Sequence, residues 1–266
     1  MSTSWLSPSA GKGDAAVRMF CFAHAGGGGG FFQPWRAAFE PDVEVCPVIL
    51  PGREARVRET AHKRVEDVLD PVCAALRGLT DRPYVLFGHS MGSILAYEVA
   101  RRLEAEPGRR PSCLFVSGRR APQLPPQREP LHHLPEAEFL TAMTMLNGTP
   151  AQVLAQDDLV QLFLPTLRAD FELNETYTPS PGGALTCPVS ALVGDADPEV
   201  ELDEMAAWRE TSDGGFTLRV FRGDHFYLKG RPDEVLAAIG ADIRRLCSPP
   251  EAVGAQFWAA PARAGE

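Results

Sequence analysis

Residues 83–100 read PYVLFGHSMGSILAYEVA, and this stretch decides the fold. Residues 83–87 form an apolar run, residues 88–92 read GHSMG, and a helix-like segment follows. A chain that leaves a strand and enters a helix within a few residues strains the central residue, which requires small neighbours such as Gly88 and Gly92. Such a turn exposes the Ser90 hydroxyl and points the first helical amides, including that of Met91, at the same place. The pattern therefore predicts a serine nucleophile at the end of a strand.

The rest of the chain alternates short apolar or β-branched runs with longer segments of helical period. This alternation is typical of an α/β protein in which helices flank a mainly parallel sheet. The predicted strands are Arg18–His24, Val43–Leu50, Pro83–Gly88, Cys113–Ser117, Pro188–Gly194 and Phe216–Arg222. Apolar residues at helical spacing predict covering helices over residues 65–79 and 235–246.

Length and composition indicate one domain. The chain has 266 residues, of which 44% are hydrophobic, and a net charge of -9. We expect a single domain over residues 15–247, with disordered segments at 1–14 and 248–266. The negative charge argues against nucleic acid or an anionic membrane as a partner.

Cysteine spacing and the N-terminal residues indicate the compartment. The six cysteines show no C-x-x-C spacing, and most lie inside apolar runs, which favours buried thiols in a reducing compartment over disulfides or a zinc site. Neither a signal peptide nor a transmembrane run is predicted, so we expect a cytoplasmic protein. Arginine clusters such as Arg53 with Arg56 are expected to be solvated.

An insertion of about residues 122–178, called here the lid insertion, interrupts the alternation. It opens with a proline-rich segment and carries two predicted helices, one beginning at Pro135 and ending at residues 147–148, the other beginning near residue 157. An insertion after a central strand is where a lid over an apolar pocket would lie. Met143, Leu146 and Phe163 are its predicted pocket residues. The alternative is that both helices pack on the core.

Chain order selects the partners of the serine. A serine nucleophile needs a base and a carboxylate that orients the base, and on this kind of fold they follow it in the order acid, then histidine. His225 is the histidine that satisfies this order. Asp195 and Asp197 both follow a predicted strand. We favour Asp197, because an Asp as close to the strand end as Asp195 more often caps a turn.

A glycine-rich loop follows the first predicted strand, where residues 24–32 read HAGGGGGFF. Glycines let backbone amides approach a reacting carbonyl, and we assign the second oxyanion donor, beside Met91, to the amide of Ala25. The loop is not a P-loop, since no Lys-Ser/Thr follows, and Phe31 stands where a dinucleotide fingerprint would need its third glycine. His24 lacks the partners of a metal ligand and is expected to orient the loop, so no metal site is predicted.

Six motifs occur in a fixed order: FAHAGG (22–27), PGREAR (51–56), GHSMG (88–92), SGRRAP (117–122), GDAD (194–197) and GDHF (223–226). Over about residues 19–246 the chain resembles the type II thioesterases of polyketide and nonribosomal peptide biosynthesis. The resemblance implies an α/β-hydrolase fold with a helical lid, and catalytic roles for Ser90, Asp197 and His225. The unbroken five-glycine run and Ala23, where a proline is expected, depart from the family pattern outside these three residues.

The resemblance also implies a reaction. The expected activity is hydrolysis of acyl thioesters on the phosphopantetheine arm of acyl or peptidyl carrier proteins, which clears stalled or misprimed chains. No bound cofactor is needed, because the substrate carries the phosphopantetheine, and the chain is expected to be a monomer. Broad acyl tolerance is expected, with preference set by Met143, Leu146 and Phe163.

Other functions remain open at this point. A carboxylesterase or lipase would use the same three residues, and a chain-releasing acyltransferase or cyclase would replace water with another nucleophile. A non-catalytic binding protein of the same fold is the least favoured reading, since it has little reason to keep Ser90, Asp197 and His225 together.

Overall fold

Six parallel strands form the central sheet. The computed structural model describes residues 5–7, 13–145, 157–230 and 232–247. The strands within these residues are β1 (Val17–Phe22), β2 (Val43–Pro47), β3 (Tyr84–His89), β4 (Cys113–Ser117), β5 (Val189–Gly194) and β6 (Phe216–Phe221). Their order is β2-β1-β3-β4-β5-β6, and each neighbouring pair is parallel. The predicted strands are confirmed apart from small differences at their ends.

Burial explains why the strands read as apolar runs. Strands β1, β3, β4 and β5 are buried at every position, because helices cover both faces of the sheet. The edge strand β6 is mostly half-buried, and its sequence is correspondingly more polar.

Helices cover both faces of this sheet. They are α1 (Gln33–Phe39), α2 (Val65–Arg77), α3 (Met91–Glu104), α4 (Glu136–Met145), α5 (Asp157–Glu175), α6 (Leu202–Ala206), α7 (Tyr227–Gly230) and α8 (Pro232–Cys247). Alternate residues of β1 enter different cores: Phe20 and Phe22 pack with α2 and α3, whereas Met19 and Cys21 pack with α1 and α8. In the described part of the chain, no helix combines the length and apolar character needed to cross a membrane.

Strand register gathers the functional loops at one edge. Strand β1 pairs with β2 on one side and with β3 on the other, so the strand order reverses there. Phe22 lies opposite Gly88 in this register, which brings the glycine-rich loop after β1 beside Ser90. The loops after β5 and β6 leave the same edge, since all the strands run parallel. Ligands of open α/β sheets bind at this edge.

The lid insertion contains the two predicted helices, α4 and α5. The predicted end of the first, at residues 147–148, lies outside the described residues. The two helices share an apolar cluster made of Phe139, Met143, Leu164, Leu167 and Phe171. The apolar side chains that suggested a pocket therefore serve, in large part, to pack α4 against α5.

Residues 5–7 differ from the expected disorder of segment 1–14. Leu6 is buried and forms an antiparallel bridge with Val48, and the Ser7 amide donates to the Pro47 carbonyl at 3.0 Å. The side chain of Leu6 therefore belongs to the core. The polar residues around it in the sequence gave no sign of this burial.

The expectation of a solvated arginine cluster is wrong for Arg53 and Arg56, which are both buried. Arg56 donates to the Ile49 carbonyl at 2.8 Å, pairs with Glu59, and lies 4.1 Å from the ring centre of Trp5. The loop after β2 is covered by other segments, and its buried carbonyl groups need donors that water cannot supply.

Candidate active site

Ser90 occupies a strained turn between β3 and α3. Its φ of 54° and ψ of -121° lie in a region that side chains rarely adopt. A Cβ atom on Gly88 would lie 2.2 Å from the Gly92 carbonyl oxygen, and one on Gly92 would lie 2.1 Å from the Phe22 carbonyl oxygen. The turn thus leaves no room for a side chain at either glycine, as the GHSMG pattern predicts.

Ser93 braces this turn and was not singled out from the sequence. Its hydroxyl lies 2.9 Å from the Gly88 carbonyl and 3.1 Å from the Ser117 carbonyl, and it accepts the Ser117 amide at 3.1 Å. The Ser90 amide donates to the same Ser117 carbonyl at 2.7 Å. A small polar residue three positions after the nucleophile is the available sequence signal, but its partner on β4 appears only in the fold.

Asp197 holds the ring of His225. The His225 Nδ1 lies 3.0 and 2.9 Å from the two Asp197 carboxylate oxygens, and their side chains are 8% and 0% exposed. Asp195 instead accepts the Gly223 amide at 2.9 Å, and Asp224 accepts the Phe226 amide at 2.8 Å. The two other carboxylates are therefore committed to backbone turns. With Nδ1 bound to Asp197, Nε2 of His225 is left to exchange a proton with a nucleophile.

Ser90 lines a cavity together with residues of the loop that follows β4. The cavity has a volume of about 540 Å³, and both Ser90 and Gly118 line it; we call it the Ser90 cavity. Gly118 has a φ of +58°, and a Cβ atom there would lie 3.1 Å from His225 Cε1. Gly118 thus lies between the Ser90 cavity, which it lines, and the ring of His225.

Two further histidines lie beside His225, and burial keeps both neutral. Burial, helped by the nearby Lys229 ammonium, lowers the pKa of His24 to about 3. Burial and the adjacent His225 lower the pKa of His89 well below its usual range. His89 bonds Ser117 Oγ at 2.9 Å, so a fixed ring packs behind the base. Neither ring competes with His225 for a proton near neutral pH.

The predicted oxyanion donors are one backbone amide of the glycine-rich loop and one in the first turn of α3. In the glycine-rich loop, the Gly26 amide donates to Asp170 at 2.7 Å and the Gly27 amide to the His24 carbonyl at 2.9 Å. These two amides are therefore engaged within the protein, and the assignment of the loop's oxyanion donor to the Ala25 amide stays a prediction. Met91 begins α3, where the first amides have no partner within the helix.

Of the predicted lid residues, the two that the structure describes, Met143 and Phe163, do not line the Ser90 cavity. Met143 is 3% exposed within the cluster between α4 and α5, and Phe163 is 45% exposed on the outside of α5. Leu146 lies outside the described residues. The cavity is lined instead by the proline-rich start of the lid insertion, including Leu124, and by residues 174–178 at the end of α5.

Comparisons with known proteins agree with this site. A family model described as a thioesterase domain matches residues 17–243. Thioesterase PikA5 of Streptomyces venezuelae is 40% identical over 260 residues, which cover 93% of this chain and 92% of that protein. Linear gramicidin dehydrogenase LgrE of Brevibacillus parabrevis is 36% identical over 243 residues, which cover 90% of this chain and 92% of that protein.

A solved structure matches as well. The type II thioesterase BorB from the borrelidin biosynthetic cluster superimposes with a TM-score of 0.83 at 38% identity, covering 92% of this chain and 99% of that chain. The fold, the strained serine and the matched family model lead to one conclusion. The chain belongs to the thioesterase family, with the α/β-hydrolase fold of the type II thioesterases.

Proposed function

We propose that this chain hydrolyses acyl thioesters on the phosphopantetheine arm of acyl or peptidyl carrier proteins in a polyketide or nonribosomal peptide synthase. The observation that carries the proposal is the hydrogen bond between His225 and Asp197 at the sheet edge that holds the strained Ser90. The similarity to PikA5 and BorB supports the substrate class.

The first half of the reaction forms an acyl-enzyme. His225 Nε2 takes the proton of Ser90 Oγ, and the oxygen attacks the thioester carbonyl. Asp197 keeps the proton on Nδ1 and stabilises the imidazolium that forms. The amides of Ala25 and Met91 bind the oxyanion. When the tetrahedral intermediate collapses, the C–S bond breaks and His225 returns its proton to the sulfur. A thiol with a pKa of about 8.5 leaves readily.

The second half consumes water. A water molecule gives a proton to His225 Nε2 and attacks the acyl carbonyl, and the released proton then restores the Ser90 hydroxyl as the acid leaves. The amides of Ala25 and Met91 stabilise both tetrahedral intermediates. His225 carries out the proton transfers of both halves of the reaction.

The glycine-rich loop does not favour the dinucleotide chemistry that the name of LgrE suggests. A dinucleotide places its pyrophosphate against such a loop. Here Glu54 Oε1 accepts the Gly30 amide at 3.0 Å, and a Cβ atom on Gly28 would lie 2.4 Å from the same oxygen. A carboxylate in this position would repel a pyrophosphate, so hydrolysis is the better-supported function.

A comparison of matched substrates tests the proposal. We expect a butyryl carrier-protein thioester to be hydrolysed with a higher kcat/KM than butyryl N-acetylcysteamine, and both faster than the corresponding oxygen ester. Ser90→Ala should lower kcat by about 10⁶-fold without lowering Tm. A serine-directed phosphonate should label the wild type and not this variant.

Three results would contradict the proposal. Equal or faster hydrolysis of the oxygen ester would indicate a carboxylesterase. Transfer of the acyl group to an added alcohol or amine in preference to water would indicate an acyltransferase. Labelling at a residue other than Ser90 would remove the assigned nucleophile.

A further inference from the structure

Helix α5 of the lid insertion reaches the glycine-rich loop with one carboxylate. Asp170 is buried, and its Oδ2 atom accepts the Gly26 amide at 2.7 Å. The same helix covers Gly26, because a Cβ atom there would lie 2.8 Å from Leu167 Cδ1. Ala25 packs against the apolar cluster between α4 and α5. The lid insertion and the glycine-rich loop are therefore in direct contact.

These contacts restrain a segment that has little stiffness of its own. Residues 26–30 are five consecutive glycines, and glycine loses more backbone freedom on folding than any other residue. Gly26 also has a φ of +75°, in the left-handed region that favours glycine. A loop of this composition takes one conformation only where other groups hold its peptide units. Oxyanion stabilisation requires such a conformation, since the donors must be fixed before the charge develops.

Hydrogen bonds hold the peptide groups on both sides of Ala25. The peptide group that contains the Ala25 N–H also contains the His24 carbonyl, which accepts the Gly27 amide at 2.9 Å. Because a peptide group is planar, this bond also restrains the direction of the Ala25 N–H. The next peptide group is held by Asp170 through its Gly26 amide. Both peptide groups that flank the Ala25 Cα atom are therefore anchored.

Arg53 holds the carboxylate of Asp170 in place. Its guanidinium donates to the two carboxylate oxygens at 2.9 and 2.7 Å, and also to the Gly27 carbonyl at 2.8 Å. The carboxylate thus has a fixed position from which to bind the Gly26 amide, and a hydrogen bond to a charged acceptor is stronger than one to a neutral group. The conformation of the glycine-rich loop therefore depends on a residue 144 positions later in the chain.

We propose that Asp170 is a positioning residue, which acts from the lid insertion to set the direction of the Ala25 amide and so the strength of the oxyanion site. Asp170 does not line the Ser90 cavity, so it acts through the loop and not on the substrate. This inference rests on the proposed function and on the predicted role of the Ala25 amide. An oxyanion donor acts on charge that develops in the transition state, so a misaligned amide lowers kcat and leaves KM nearly unchanged.

Two double variants of similar shape isolate the hydrogen bond to the Gly26 amide. Arg53→Met with Asp170→Asn keeps an acceptor at position 170, whereas Arg53→Met with Asp170→Leu removes it, and neither leaves a buried charge unpaired. The leucine variant should have a kcat about 10- to 100-fold below that of the wild type, a part of the cost of losing a whole oxyanion donor. The asparagine variant should have a kcat at least about 5-fold above the leucine variant, the scale of one hydrogen bond. KM should change little in both.

A buried ion pair at the opposite edge of the sheet provides the control. Arg18 lies 2.9 Å from Glu44 near the amino ends of β1 and β2, and their side chains are 3% and 9% exposed. Arg18→Met with Glu44→Leu should lower Tm and leave kcat unchanged at temperatures where the protein is folded. A loss of kcat as large as in the leucine variant would show that kcat follows general stability, and would overturn the proposal. If the leucine variant does not fold, Arg53→Met with Asp170→Ala removes the same acceptor.

The rate at which a serine-directed phosphonate labels Ser90 gives a readout that needs no thioester. A phosphonate presents its oxygen to the oxyanion donors as the tetrahedral intermediate does, so the rate should fall in the leucine variant and recover in the asparagine variant. Equal kcat values and equal labelling rates in these two variants would overturn the proposal, as would a raised KM with kcat unchanged. Failure of the wild type on every thioester, with Ser90 still labelled, would overturn the proposed function alone, because the labelling rates would still test the role of Asp170.

Discussion

Arg53 and Asp170 form a buried, two-pronged ion pair that joins the loop after β2 to helix α5 of the lid insertion. The two guanidinium nitrogens lie 2.9 and 2.7 Å from the two carboxylate oxygens, and the side chains are 8% and 2% exposed. Asp170 also accepts the Gly26 amide at 2.7 Å, and Arg53 donates to the Gly27 carbonyl at 2.8 Å. One ion pair thus joins three segments: the loop after β2, helix α5, and the glycine-rich loop that carries Ala25.

Removing one member of this pair should destabilise the protein strongly. Asp170→Ala leaves the Arg53 charge buried without a partner, and we expect the free energy of unfolding to fall by about 3–5 kcal/mol. Urea denaturation measures the change. The double variant Arg53→Met with Asp170→Leu should lose much less than the sum of the single variants, because no uncompensated charge remains. Additive losses would show that the two side chains contribute independently.

Substitution of the two candidate acids, Asp197 and Asp195, should lower kcat to very different extents. Asp197→Asn removes the carboxylate that holds His225 and should lower kcat by about 10⁴-fold, the effect of losing the correct imidazole tautomer. Asp195→Asn is the matched control, since Asp195 accepts the Gly223 amide and does not contact the ring. Its effect on kcat should be much smaller. A larger loss in Asp195→Asn would mean that Asp195 orients the base during turnover.

The glycines of the strained turn should not tolerate a methyl group. In Gly92→Ala the new Cβ would lie 2.1 Å from the Phe22 carbonyl oxygen, a backbone atom that cannot move aside, so we expect a loss of about 3 kcal/mol or more in unfolding free energy. Gly78→Ala is the control, because nothing lies within 4 Å of its Cβ position and its φ is -72°. Calorimetry should find Tm unchanged or raised in the control and lowered in Gly92→Ala.

A substitution at the start of the lid insertion should change the preferred acyl chain length, and a substitution on α5 should not. Leu124 lines the Ser90 cavity, so Leu124→Trp should shift hydrolysis towards shorter acyl groups while acetyl thioesters remain substrates. Phe163→Trp is the matched control, since Phe163 is 45% exposed and does not line that cavity. Profiles over acetyl to decanoyl thioesters measure both. A shift in Phe163→Trp without one in Leu124→Trp would place the acyl group against α5.

Several features of this protein depend only on residues that are close along the chain. The turn at Ser90 follows from two glycines between a strand and a helix, because the clash that excludes a Cβ atom at Gly88 arises with Gly92, four positions on. The strands follow from apolar runs, since helices cover both sheet faces. Chain order points to His225 because loops after parallel strands emerge at one edge.

Other features depend on contacts between distant segments, and only the tertiary structure decided them. The sequence proposes both Asp195 and Asp197, and the path of the loop selects the one that reaches the His225 ring. Arg53 and Asp170 are 117 positions apart, so no local pattern pairs them. Met143 has the flexible apolar side chain expected of a pocket residue, yet it is buried against α5. Burial and pairing are properties of the packed molecule, so no single stretch of the sequence shows them.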